Sequence, residues 1–182
     1  MNTSELEIAI VAAQEGREEG YRQLFSEYSG MVFALVNRMV PDVGEAEELT
    51  QDVFLQAFSV LSEFRTQGAG FSAWICRIAY NKAISHLRKT RLQVVTLEEA
   101  TFSVPEEALE SLDEKIEDLM QAIDRLPEEE KALLQLFYFD DLSLQEIAYV
   151  TSCSAANVGT KLMRIRKKLK KQIASEHQYG KR

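Results

Sequence analysis

The stretch from Ser143 to Ile173 constrains this chain more than any other. Ser143 stands three positions before Glu146, the spacing at which a serine hydroxyl and a glutamate each cap the other's backbone N–H, so a helix starts there. That helix is short, because Thr151-Ser152-Cys153 breaks it and Ser154 can cap another at once. In the second helix Val158, Leu162, Ile165 and Leu169 recur at helical spacing and mark one buried stripe. Lys161, Arg164, Lys168 and Lys171 fall on a different face. Two helices, a tight turn and a basic second helix describe a helix-turn-helix, whose second helix enters the major groove of DNA. Upstream, Leu126-Pro127 opens a third helix through Leu133, Leu134 and Leu136.

A net charge of −8 speaks against a simple DNA-binding protein until it is divided along the chain. Residues 72–91 carry five basic and no acidic side chains, and residues 161–182 carry nine basic and one acidic. The remainder is acidic, most densely over 92–118, with nine acidic residues and one basic. DNA is repelled by most of such a surface and drawn to two islands. A protein of this kind binds DNA poorly alone and needs a partner to present it.

The chain has 182 residues, 46% of them hydrophobic, enough for one or two real cores. No run approaches the roughly 20 apolar residues that span a bilayer, and the N-terminus lacks the charged and apolar regions of a signal peptide. Cys76 and Cys153 match no metal spacing and read as two reduced thiols of a cytosolic protein. Glycines and prolines are scarce, eight and three, and helical periodicity dominates. Helices are expected near 5–15, 20–39, 44–63, 71–90, 116–125, 128–138, 143–151 and 154–174, with turns at Pro41–Gly44 and Gln67–Gly70. The expected fold is all-α. A helical bundle over 1–91 and a helix-turn-helix domain over 119–182 are joined by a flexible acidic linker, 92–118.

Two stretches of the N-terminal half carry further chemistry. In Glu45–Phe58, Ala46, Leu49, Val53 and Ala57 should face a core, which leaves Glu48, Gln51 and Asp52 on an exposed face. Like charges four apart cost a few tenths of a kcal/mol, and on these residues alone a solvated acidic face is the favoured reading. In Phe64–Lys89, Trp74, Ile78 and Ile84 look like core, while Arg77, Asn81, Lys82, Arg88 and Lys89 make a basic face without a carboxylate. Aromatic rings and cations around a glycine-containing loop suit single-stranded nucleic acid, with bases on rings and phosphates on cations.

Three segments together carry a resemblance: Ala46-Glu47-Glu48-Leu49-Thr50-Gln51-Asp52-Val53-Phe54, Trp74-Ile75-Cys76-Arg77-Ile78-Ala79-Tyr80-Asn81, and Leu126-Pro127 leading into Ser143–Leu169. In this order and at these separations they resemble bacterial RNA polymerase sigma factors of the extracytoplasmic-function (ECF) type, over roughly 20–90 and 119–173. The resemblance implies that Glu48, Gln51 and Asp52 bind the clamp helices of the largest subunit of core RNA polymerase. It implies that Phe64, Phe71 and the loop between them read the −10 promoter element and capture an extruded base, with Arg77, Asn81, Lys82, Arg88 and Lys89 on the backbone around the melting point. It implies that the linker threads the polymerase, and that the last helix reads the −35 element through Ser154, Asn157, Thr160, Lys161, Arg164 and Lys168. It further implies a bacterial, cytoplasmic protein without direct membrane insertion, held by an anti-sigma factor. The family usually has a basic residue where this chain has Gly159; a glycine inside a helix costs up to ~1 kcal/mol relative to alanine and removes a side chain from the DNA face.

The alternative reading is a free-standing helix-turn-helix regulator with a sensor or dimerisation domain over 1–90, against which the basic aromatic face argues. A purely protein-binding adaptor leaves both basic islands unexplained. No enzyme or cofactor is expected: His86 and His177 lack a partner nucleophile or metal-ligand spacing, and there is no glycine-rich phosphate loop.

Overall fold

A computed structural model describes residues 1–65, 70–94 and 113–179. Eight α-helices follow in order: α1 (Thr3–Gln14), α2 (Glu18–Met39), α3 (Val43–Ser59), α4 (Phe71–Val94), α5 (Asp113–Asp124), α6 (Glu128–Leu134), α7 (Leu144–Thr151) and α8 (Ala155–Tyr179). A turn of 3₁₀-helix, Leu61–Glu63, follows α3, and a π-helical turn, Gln135–Phe139, extends α6. No strand occurs among the described residues, in agreement with the all-α expectation.

Local chemistry sets most helix starts. Asn2 and Glu5 form a reciprocal capping box at α1, the two bonds both 2.9 Å, and Asp42 Oδ1 accepts from the Glu45 N–H at α3. Ser143 and Glu146 form the expected box at α7. The Ser154 hydroxyl accepts from the Asn157 N–H at the start of α8. The expected linker is shorter than 92–118, because α4 runs on to Val94 and α5 already begins at Asp113. Residues 95–112 of that linker and 66–69 of the expected loop lie outside the described residues.

The first four helices pack around α2 and α4. α1 lies along the start of α2, and the chain reverses between them at Gly16 (φ 78°), whose N–H donates to the Ala13 carbonyl. The approach is close because small residues line it: Ala9, Ala12 and Ala13 of α1 are buried against Gly20 of α2. A Cβ built on Gly20 would stand 2.3 Å from the Ala13 nitrogen and 2.6 Å from the Ala9 oxygen, both backbone atoms that cannot swing aside. Leu24, Val32, Leu35, Val36 and Met39 of α2 continue inward to meet Val53 and Ala57 of α3 and Ala73, Ile75 and Ala79 of α4.

In the C-terminal half, α8 packs on α5, α6 and α7 through Val158, Leu162, Ile165 and Leu169, the four residues of the sequence pattern, all buried. The halves are also joined. α7 lies against α4, and α6 with its π-helical turn lies against α2, so one apolar core runs through both. No helix among the described residues is long and apolar enough to cross a membrane.

Two glycines of the same helix should respond oppositely to the same change. Gly20→Ala should destabilise by about 3 kcal/mol through overpacking against backbone. Gly30, with nothing within 4 Å of its built Cβ, should gain about 0.5–1 kcal/mol as Gly30→Ala from helix propensity. Urea unfolding followed by circular dichroism measures both; equal effects would refute the close α1–α2 contact.

Candidate nucleic-acid and partner interfaces

The acidic residues of α3 are placed by what lies beneath them. Ala46, Val53, Phe54 and Ala57 are buried, Leu49 is half-buried, and Thr50 is buried with its hydroxyl donating to the Ala46 carbonyl at 2.7 Å. Glu48, Gln51 and Asp52 are therefore turned outward and exposed. The basic face of α4 adjoins them. Lys82 Nζ donates to Asp52 Oδ2 at 3.3 Å, and His86 Nε2 lies 3.0 Å from Glu45 Oε2. Exposed pairs of this kind contribute about 0–1 kcal/mol and exchange readily for another partner. An open groove of about 600 Å³ runs between the two helices, lined by Asp52, Trp74, Arg77, Asn81, Lys82 and Lys89 among others.

Along α4, Asn81, Arg88 and Lys89 are exposed and Lys82 is half-buried. Arg77 is held differently. Its Nη1 donates to the Tyr149 carbonyl at 2.9 Å, and its guanidinium carbon stands 4.5 Å from the centre of the Tyr149 ring. One side chain of α4 thus makes both a charge-assisted hydrogen bond and a cation–π contact with α7. The sequence offers no local sign of Tyr149 in this role, since the two residues are 72 positions apart.

Phe64 and Phe71 do not stand free to stack on bases. They are only 5% and 2% exposed. Phe64 packs on Phe71 and Trp74 at ring-centre distances of 5.4 and 5.1 Å, and Tyr28 meets Phe71 at 4.9 Å. This corrects the expectation that both rings contact DNA directly. Burial stabilises a large aromatic ring by several kcal/mol at ~25 cal/mol per Å², which outweighs exposing it in the free chain. What the rings do is anchor the two ends of segment 65–70. Cys76, buried directly beneath α4, has its thiol pushed up, by burial first and then by the nearby Asp140 carboxylate, and is an unreactive core thiol.

The helix-turn-helix has the expected parts. Ser152 adopts φ 54°, and the Cys153 N–H donates to the Ala148 carbonyl, which ends α7 and redirects the chain into α8. On α8, Ser154, Asn157, Arg164 and Lys168 are exposed and Thr160 and Lys161 half-buried. The Thr160 hydroxyl donates to the Ala156 carbonyl, and Lys168 Nζ reaches Glu130 Oε2 of α6 at 3.0 Å. Gly159 is not simply a gap on an outer face. A Cβ there would lie 3.8 Å from Leu144 Cδ1, an ordinary packing distance, at the junction of α7 and α8.

Two family models match the chain: sigma-70 region 2 over residues 24–93 and sigma-70 region 4 over 116–169. The RNA polymerase sigma-H factor of Pseudomonas aeruginosa is 31% identical over 177 residues, which cover 90% of this chain and 91% of that protein. The ECF RNA polymerase sigma factor SigW of Bacillus subtilis is 29% identical, covering 90% and 94%. Among solved structures, the sigma factor RpoE of Bartonella quintana, in complex with the anti-sigma factor NepR, shares the fold with a TM-score of 0.68. It is 20% identical, with 85% of this chain and 96% of that one covered.

Gly159→Ala should stabilise the protein by about 0.5–1 kcal/mol, since the added methyl finds Leu144 at contact distance and the helix gains propensity. Thermal unfolding is the measurement, and a lower midpoint would mean that the α7–α8 junction is tighter than described.

Proposed function

The chain belongs to the sigma-70 family, as an RNA polymerase sigma factor of the ECF type, and from that premise we propose how its surfaces divide the work. The protein has no chemistry of its own to perform. It lends promoter specificity to core polymerase and promotes initiation.

The exposed row Glu48, Gln51 and Asp52 on α3 is the docking surface for the clamp helices of the polymerase's largest subunit. The observation that carries this reading is their joint exposure over a fully apolar underside. An acidic row meeting a basic partner gains specificity and encounter rate from charge complementarity. α4, next to it, faces the −10 element. Arg77, Asn81, Lys82, Arg88 and Lys89 hold the phosphate backbone where the strands part, and Phe64 and Phe71 act from below as supports of the base-reading segment. Strand opening needs a few kcal/mol of unstacking, and capture of an extruded base returns part of it.

α8 enters the major groove of the −35 element, and its capped N-terminal turn approaches the bases. Asn157, Thr160, Lys161 and Arg164 read base edges, whereas Ser154 and Lys168 engage phosphates. The division into a region over 1–91, a connecting stretch over 92–118 and a region over 119–182 serves two promoter elements held apart on the DNA. The Bartonella relative was solved with its anti-sigma factor bound, and a similar inhibitor holds this chain in the bacterial cytoplasm until it is released to polymerase.

Reversing the acidic row as Glu48→Arg with Asp52→Arg should abolish co-elution with core polymerase while circular dichroism stays that of the wild type. A correctly folded double variant that still co-elutes would sink the docking assignment. Lys161→Ala should weaken promoter binding by about 1–3 kcal/mol at −35 sequences that carry its base and much less at others. Uniform weakening across sequences would make Lys161 a phosphate contact instead.

A further inference from the structure

Three contacts join the halves of the chain at one place, and all touch the side of α4 assigned above to the −10 element. Arg77 is bonded to the Tyr149 carbonyl and stacked on its ring. Gly70, just before α4, has the Glu146 carboxylate of the α7 capping box 3.8 Å from where its Cβ would stand. Arg38 of α2 lies over the ring of Phe139, 5.9 Å from its centre.

Beside Phe139 sits Asp140, at the end of the π-helical turn. Its Oδ1 accepts from Gln135 Nε2 at 3.1 Å, and its backbone N–H donates to the Gln135 carbonyl. Its Oδ2 is buried without a hydrogen-bond partner, and so is Asn37 Oδ1 on α2, the helix packed against this turn. A buried acceptor without a donor costs about 1–3 kcal/mol. Here two such acceptors lie in facing elements, and both belong to the junction. A proton on Asp140 would supply the donor that neither oxygen has.

We propose that the free chain masks its own promoter-facing helix: α7 closes over α4 through the Arg77–Tyr149 contact, and the proton on the buried Asp140 carboxyl decides how firmly it closes. The closed arrangement and DNA compete for one guanidinium, so Arg77 becomes available only when α7 leaves. That functional consequence rests on the reading of Arg77 as a promoter contact; the closure itself does not.

The direction of the proton effect follows from the surroundings. Burial pushes the Asp140 carboxyl up to about 6 in the closed state, opposed by the hydrogen bond from Gln135. The ionisable groups about the junction are the Cys76 thiol and Arg77 on α4, Arg38 and Tyr28 on α2, Asp141 next in the chain, and Glu146 and Tyr149 on α7. A carboxyl raised on closing binds its proton more tightly in the closed form. Closure is therefore weakest above about pH 6, where Asp140 is charged in both forms, and strengthens as pH falls from about 6 toward the ordinary carboxylate range.

Single-molecule energy transfer between labels at Leu55→Cys on α3 and Met163→Cys on α8 would report closing, both positions being exposed. The label-bearing chain also carries Cys153→Ser, while Cys76 is buried beyond reach. At pH 7.5, Tyr149→Ala should raise the ratio of open to closed molecules about tenfold by removing the ring from Arg77. Adding Asp140→Asn to that variant should restore closure about tenfold, because a neutral amide fits where the carboxylate is penalised. Lowering the pH to 5.5 should close the Tyr149→Ala chain and leave the Asp140→Asn double variant unmoved. If Tyr149→Ala proves unfolded by circular dichroism, Arg77→Gln replaces it with the same expectations. A transfer distribution unchanged by Tyr149→Ala, or no return toward closure on adding Asp140→Asn, would overturn the proposal. Neither result bears on promoter recognition, which Arg77→Ala tests separately by transcription with core polymerase.

Discussion

Everything in this molecule turns on the packing of α4. Three elements meet it, α2, α3 and α7, and it meets them through small residues: Ala73, Ala79 and Ala83 are wholly buried, with Ile75 and Cys76 between them. Alanines let neighbouring helices approach closely, and they also free the rest of the helix surface for cations. Arg77, Asn81, Lys82, Arg88 and Lys89 can then share a helix with a buried stripe without any of these charges entering the core. Volume added at one of the buried alanines would displace a neighbouring helix and with it a functional surface, because well-packed interiors do not absorb an extra methylene without strain.

The second constraint is electrostatic. An acidic row on α3 and a basic row on α4 lie on adjoining helices and touch through Asp52–Lys82 and Glu45–His86. Each row shields the other in the free protein, which tempers the attraction of the basic island for unrelated DNA. These pairs are exposed enough to be weak. A partner that takes the acidic row therefore releases the cations beside it at little cost, and the docking surface and the nucleic-acid surface are physically coupled before any DNA is present.

What was legible in the sequence was local. The Ser143–Glu146 box, the Ser154 cap, the Val158–Leu169 stripe and the outward turn of Glu48, Gln51 and Asp52 depend on residues three or four apart, and each is found where the pattern puts it. Helix ends were legible wherever a capping side chain was near. The α1 capping box of Asn2 and Glu5 carries the same signature and could have been read. Contacts across long separations were not legible. Nothing near Tyr149 announces Arg77, and nothing near Gly20 announces the backbone of Ala9 and Ala13. Phe64 and Phe71 misled for a related reason. A ring flanking a basic loop has the same composition whether it faces bases or core, and only the positions of Tyr28 and Trp74 decide between them.

The two DNA-facing helices differ in how the fold treats them, and the difference follows from these contacts. On α8 the outward residues Asn157 and Arg164 stay exposed while α7 lies against α4. Arg77 on α4 is engaged by α7 in that same arrangement. The helix proposed to read duplex DNA is thus accessible when the helix proposed to hold melted DNA is covered. Duplex contact alone costs the DNA little, whereas opening it costs unstacking at every step. A chain that hides its strand-opening surface and leaves its duplex-reading surface exposed orders the two events: groove recognition comes first, and strand capture waits until α7 has been drawn away from α4.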